Sequence, residues 1–231
     1  MRIIHKKYPL LPYLLCVLCV ELILMLVPKG MAASAISAIE EPENINPPVS
    51  AIQSITLVDP LYSEEWGIAS LDISELWRYS SGNPDIVVAV LDSGIDENHP
   101  DLQGQVLDSV NFTESPTCDD LLGHGTAVAS IIAAKKDGSG MVGIAPQCRL
   151  LNVKIADDAG HSEALDMAGG IIWATDHGAS IINISVQIMQ PSVELKSAVE
   201  YAQENGAVII AASGNNTPGR DVYPATYEAD S

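Results

Sequence analysis

Continuous apolar, β-branched runs alternate with amphipathic segments along this chain, and that alternation leaves few ways to fold it. Residues 86–91 (Ile-Val-Val-Ala-Val-Leu) are apolar without a break, as a strand buried on both faces requires. Residues 150–155, 179–185 and 207–212 predict three further strands. Between them lie helical patterns. One follows His124, with Val128, Ile131 and Ile132 on one face. A second spans 163–177, with Leu165, Ala168, Ile171 and Ile172 expected to face inward. A third opens at Ser192 and stops at Asn205-Gly206, a good helix-ending pair. Strands that alternate with helices through short connections imply an α/β fold, a mostly parallel sheet with helices on both faces. Such sheets place their sites beyond the carboxyl ends of the strands. Asp92, Ser185 and Asn215 fall at or just after predicted strand ends, and His124 falls at a helix N-terminus.

The remainder of the chain frames this domain. Arg2, Lys6 and Lys7 precede an apolar stretch from Leu10 to Val27, and Ala33-Ser34-Ala35 follows it, the pattern of an export signal occupying residues 1–35. An uncleaved anchor is the alternative, although the stretch is short for a span and Glu21 is costly in it. Residues 36–58 are acidic and proline-rich and read as a linker or short pro-segment, which leaves 59–231 for the domain. The formal charge of −19 discounts nucleic acid as a partner, and membrane contact is expected only through the N-terminal segment. Of four cysteines, Cys16 and Cys19 lie in the leader. Cys118 and Cys148 could pair in an exported domain or stay free, and neither lies in a Cys-x-x-Cys pair that would hold zinc.

Three residues carry chemistry. Asp92 stands in Leu91-Asp92-Ser93-Gly94, His124 in Gly123-His124-Gly125-Thr126, and Asn215 in Ser213-Gly214-Asn215. Taken singly, each has an ordinary explanation as a turn former or a structural polar residue. Together they supply an acid, a base and an amide. Serine hydrolysis needs a base to take the hydroxyl proton, a carboxylate to fix that base's tautomer, and donors for the oxyanion. An amide donor such as Asn215 is worth roughly 3–4 kcal/mol in the transition state.

These motifs, with His99-Pro100-Asp101-Leu102, Val142-Gly143-Ile144-Ala145-Pro146, Ile182-Asn183-Ile184-Ser185 and Tyr223-Pro224-Ala225, resemble the subtilisin-like serine proteases in kind, order and spacing over roughly residues 59–231. The acid-then-base order is that of subtilisins and not of chymotrypsin-like enzymes. The resemblance implies a subtilisin-like three-layer fold and a secreted, monomeric endopeptidase acting on polypeptides. Asp92 and His124 match the family's relay acid and base, and Asn215 its oxyanion donor. Ser185, Val186 and Gln187 match the extended segment that pairs with substrate, and Gly160 lies in the facing loop. Ala212, Ser213 and Gly214 match the wall of the primary specificity pocket, where small residues imply room for large apolar side chains. Gln187 departs from the smaller residue usual there, and Ala127 replaces a second histidine that is not part of the relay. No cofactor is implied for the chemistry. A structural Ca²⁺ is, with Asp101 and Asp137 as carboxylate ligands and loop carbonyls completing an oxygen shell. The Lys135-Lys136 pair in that loop counts against it.

One element of the pattern does not occur within the 231 residues, the Gly-Thr-Ser turn that carries the nucleophile. Ser213 is no substitute, because it precedes Asn215 on the pocket wall. The expectation is therefore the N-terminal part of a secreted endopeptidase, inactive and poorly folded as this polypeptide alone. The alternatives are a degenerate, non-catalytic peptide-binding protein and an envelope-anchored acidic protein that retains the fold.

Overall fold

The computed structural model describes residues 59–214 and 221–227. The leader 1–35, the linker 36–58 and Asn215 lie outside the described residues. No described helix is long and apolar enough to cross a membrane.

Five strands form one parallel sheet: β1 (Val87–Asp92), β2 (Val106–Asn111), β3 (Arg149–Lys154), β4 (Ile181–Ile184) and β5 (Val208–Ala211), in the order β2-β3-β1-β4-β5. Two short helices, α1 (Trp66–Ser70) and α2 (Ile73–Leu76), precede the sheet. Three longer ones connect its strands: α3 (His124–Ala133), α4 (Ala164–Asp176) and α5 (Val193–Glu204).

Alternate side chains of each strand point to opposite faces, which divides the core in two. Val88, Val90, Leu150 and Ile181 pack with Val128, Ile132 and Ile73. Ala89, Leu91, Leu151, Val153 and Ile182 pack with Met167, Ile171, Leu195 and Ala202. α3 with the N-terminal helices therefore covers one face, and α4 with α5 the other. Each fully buried Leu or Ile stabilises this arrangement by roughly 1.5–3 kcal/mol. Cover thins at both edges. β4 is buried throughout, whereas every residue of the edge strand β5 is half-buried and β2 is half-buried or exposed.

The four predicted strands are present: β1 and β3 are shifted by one residue, and β4 and β5 are shorter than expected. β2 is not legible in the sequence. Its run Val-Leu-Asp-Ser-Val-Asn is neither continuously apolar nor alternating, its register shifts between Val106 and Asp108, and Leu107 is exposed. The face assigned to α4 needs correction. Met167, Ala168, Gly170, Ile171 and Ala174 are buried, while Leu165 and Ile172 are exposed. Leu165 and Ile172 stand two turns apart on one line of the helix, off the stripe that meets the sheet. Gly170 sets that stripe, since a Cβ there would lie 2.8 Å from Ile155 Cγ2. α5 begins as read, with Ser192 Oγ accepting from Leu195 N at 3.2 Å. Cys118 and Cys148 are both free thiols.

Candidate active site

β1 is the central strand, and its last residue is Asp92, 1% exposed. The chain continues from β1 toward one sheet edge and later returns to its other side with β4. The carboxyl end of β1 is thus where this topology opens a crevice. His124 is the first residue of α3, and its ring reaches across to Asp92, with Nδ1 and Oδ1 2.7 Å apart. Asp92 Oδ1 also accepts from Ser93 N at 2.7 Å. Asp92 Oδ2 is buried and has no partner. The His124 side chain is 41% exposed, so one side of the base faces the cleft while its inner nitrogen is held. The hydrogen bond that His124 donates to Asp92 raises the His124 pKa above 6.5. Burial opposes that shift, and the charges of Asp92 and Asp120 add to it.

The glycines of both motifs are required by this approach. Gly123 caps α3 at φ 83°, a left-handed conformation that glycine adopts at no cost. Gly125 lies so close to the β1 turn that a Cβ on it would sit 2.1 Å from Gly94 O and 3.0 Å from Asp92 Cβ. Any side chain here would push His124 away from Asp92.

Sequence reasoning missed the residue that holds this corner together. Asp120 Oδ1 accepts from Ser93 Oγ at 2.8 Å and Gly123 N at 2.8 Å, and its Oδ2 accepts from Thr126 N and Oγ1, both at 2.8 Å. Burial would raise this carboxyl, but the bonds from Thr126, Ser93 and Gly123 outweigh it and hold the pKa below its ordinary value. Ser93 Oγ in turn accepts from Gly125 N at 3.1 Å. The available signal was an acid within one turn of a helix start, where a carboxylate is favoured.

The residues expected to line a substrate reach the same edge of the sheet. Ser185 follows β4, and Ala212 follows β5 with its N–H bonded to Ile184 O at 3.0 Å. Ser213 and Gly214 continue beyond it, Gly214 at φ 80°. Ser185, Val186 and Gln187 leave the sheet, and the next pairing is Ile188 with Tyr223. Gln187 Oε1 is buried without a partner. Gly160 sits at φ 83° in a hairpin closed by Ala156 and Ser162, and a Cβ there would lie 3.3 Å from Leu122 Cδ2. The hairpin therefore abuts the loop that leads into His124.

Asp101 and Asp137 are not brought together in one way. Asp101 is 6% exposed and lies under Gly140, where a Cβ would be 2.1 Å from its Oδ1, while its Oδ2 accepts from Met141 N at 3.1 Å. Asp137 instead pairs with Lys135 at 3.3 Å and accepts from Ser139 N at 3.1 Å. Among the described residues no three His, Cys, Asp or Glu side chains converge to hold a metal.

A buried acid holding a half-exposed histidine at a sheet edge is the arrangement that an acid–base pair requires. The subtilase family model matches residues 83–231, and the chain belongs to that family. It is 41% identical to fervidolysin of Fervidobacterium pennivorans over 187 residues, covering 73% of this chain and 26% of that protein. It is 34% identical to thermitase of Thermoactinomyces vulgaris over 172 residues, covering 73% of this chain and 61% of that protein. The crystal structure of fervidolysin, described as a keratinolytic enzyme related to subtilisin, superposes with a TM-score of 0.66 at 38% identity, over 80% of this chain and 29% of that one. The fold is thus subtilisin-like. The chain spans between 26% and 61% of the length of these curated relatives.

Proposed function

We propose that this chain carries the acid and base of a secreted subtilisin-like serine endopeptidase, whose nucleophilic serine lies in sequence beyond Ser231. The observation that carries the proposal is the 2.7 Å contact between His124 Nδ1 and the buried Asp92 carboxylate. That contact keeps the Nδ1 proton on the inner nitrogen, which leaves the outer nitrogen as the base. His124 takes the serine proton as the hydroxyl attacks the peptide carbonyl, and returns it to the leaving amine. Asp92 stabilises the imidazolium formed between the two transfers. Asn215 donates to the oxyanion, Ser185 to Gln187 and the Gly160 hairpin line the peptide, and Ala212 to Gly214 wall a pocket for a large apolar side chain.

In this reading neither Ser93 nor Cys118 serves as the nucleophile. Ser93 Oγ is committed to Asp120. The Cys118 thiol is pushed up by burial and by the charges of Glu97 and Asp119, which suppresses the reactive thiolate. A fluorophosphonate probe tests this. The 231-residue chain is expected to stay unlabelled, and the product of the reading frame extended past codon 231 to label at one downstream serine. Stoichiometric labelling of the short chain, or none of the extended product, would overturn the proposal.

Calcium enters on a narrower footing. Burial raises the pKa of Glu65, its hydrogen bond from Val142 opposes this, and the charges of Asp59 and Asp101 add to the rise. A divalent cation would relieve this concentration of negative charge. In this reading Asp101 is a ligand, and carbonyls of the 137–142 loop would complete the oxygen shell. Asp137 does not fit, since its carboxylate is taken by Lys135. Chelation with EDTA is expected to lower the melting temperature, and Asp101→Asn to remove that sensitivity. An unchanged melting temperature would count against the site.

A further inference from the structure

β3 is buried from Leu150 onward and ends in a charge. Lys154 pairs with Asp92 across the β1–β3 ladder, and its side chain is 0% exposed. A buried ammonium is unfavourable unless it is fully paired. Lysine has three N–H donors, and Lys154 Nζ meets three oxygens: the Ser93 carbonyl, the Asp119 carbonyl at 3.1 Å and Asp158 Oδ1 at 2.9 Å.

Each acceptor belongs to a different wall of the cleft. Ser93 is the first residue of the turn after Asp92. Asp119 precedes Asp120, the carboxylate that holds the start of α3 and with it His124. Asp158 belongs to the hairpin of Gly160, whose Asp157 N and His161 O are 2.8 Å apart. An apolar side chain would fill the same volume and leave all three oxygens without this donor.

We propose that Lys154 is a positioning residue, which locks the acid's turn, the base's loop and the substrate-side hairpin to one another through a single buried ammonium. A displacement of the hairpin by substrate is then felt at the catalytic pair. The proposal rests on Asp92 and His124 being the reacting pair, but its test does not need the serine.

Amide hydrogen exchange on the 231-residue chain reads the coupling directly, with Asp158→Asn as the milder variant because Asp158 is 31% exposed. Exchange is expected to quicken about tenfold in the hairpin at 157–161, and also to rise at Leu122 and Gly123 in the loop before His124. Confinement of the change to 157–161 would overturn the proposal. Lys154→Met gives a second readout, the titration of His124 followed by NMR. The charges that act on His124 are Asp92 and Asp120. Loss of a nearby positive charge through space would raise the histidine's pKa further, whereas loss of the clamp loosens its bond to Asp92 and lowers it. The expected result is a fall toward 6.5, and a rise or no change would refute the clamp. If Lys154→Met does not fold, the exchange pattern of Asp158→Asn decides alone. Failure of fluorophosphonate labelling would count against the proposed activity and leave this coupling standing.

Discussion

Replacing Gly125 with alanine sets two effects of opposite sign against each other. Gly125 is inside α3, where alanine is favoured over glycine by about 1 kcal/mol on helix propensity alone. Its Cβ would also lie 2.1 Å from Gly94 O, 3.2 Å from Gly94 C and 3.0 Å from Asp92 Cβ. A carbon rests about 3.3 Å or more from a carbonyl oxygen, so the start of α3 and the end of β1 must separate by about 1 Å. The Gly94 atoms are backbone and Asp92 Cβ is fixed by its own backbone, so neither contact can swing away. Overpacking of this kind costs about 1–3 kcal/mol, here at the upper end. The net expectation is a destabilisation of about 2 kcal/mol, a factor of about 30 in the folding equilibrium. The same separation stretches the 2.7 Å contact between His124 and Asp92 past about 3.5 Å, where the hydrogen bond is lost. Urea unfolding followed by tryptophan fluorescence measures the first effect, and the His124 titration measures the second. A Gly125→Ala variant as stable as wild type, with His124 unchanged, would refute the packing argument. Gly123→Ala makes a useful contrast, because a Cβ there meets nothing within 4 Å and only the φ of 83° is strained. Its cost is expected near 1–2 kcal/mol.

Two further outcomes follow from the same geometry. His124 has a folded pKa raised above 6.5, so its pairing with Asp92 stabilises fully below about pH 6.5 and is lost as pH rises through the raised value. The difference in urea midpoint between wild type and Asp92→Asn should therefore be largest at pH 6 and shrink by pH 9; a difference that grew with pH would contradict the pairing. Burial raises both thiols, helped at Cys118 by the charges of Glu97 and Asp119 and opposed at Cys148 by a hydrogen bond from Asn83. Iodoacetamide at pH 8 is thus expected to modify half-buried Cys118 slowly and buried Cys148 only after unfolding, and fast labelling of native Cys148 would show that the packing is wrong.

The layered sheet was legible because β1, β3 and β4 are buried on both faces and are largely aliphatic, with Asn152, Lys154 and Asn183 as buried exceptions. β2 was not, because an edge strand with a shifted register has no such constraint. The α4 face was misassigned for a related reason. Leu165 and Ile172 look inward-facing by type, but the contact stripe is fixed by where Gly170 lets the helix approach Ile155. In the site, Asp92 and His124 announced themselves by standing at element ends. Asp120, Ser93 and Lys154 did not, since each acts by closing a gap between segments distant in sequence. Lys154 still left a trace, a lone charge that ends the buried run Leu-Leu-Asn-Val.

The titration of His124 by NMR, in the wild-type chain and in Asp92→Asn, tests the central claim most directly. If Asp92 and His124 form the acid–base pair, the wild-type histidine titrates above 6.5 and the Asp92→Asn histidine falls back toward it. An identical titration in both proteins would mean that the two residues are neighbours without being partners, and the catalytic reading would fail.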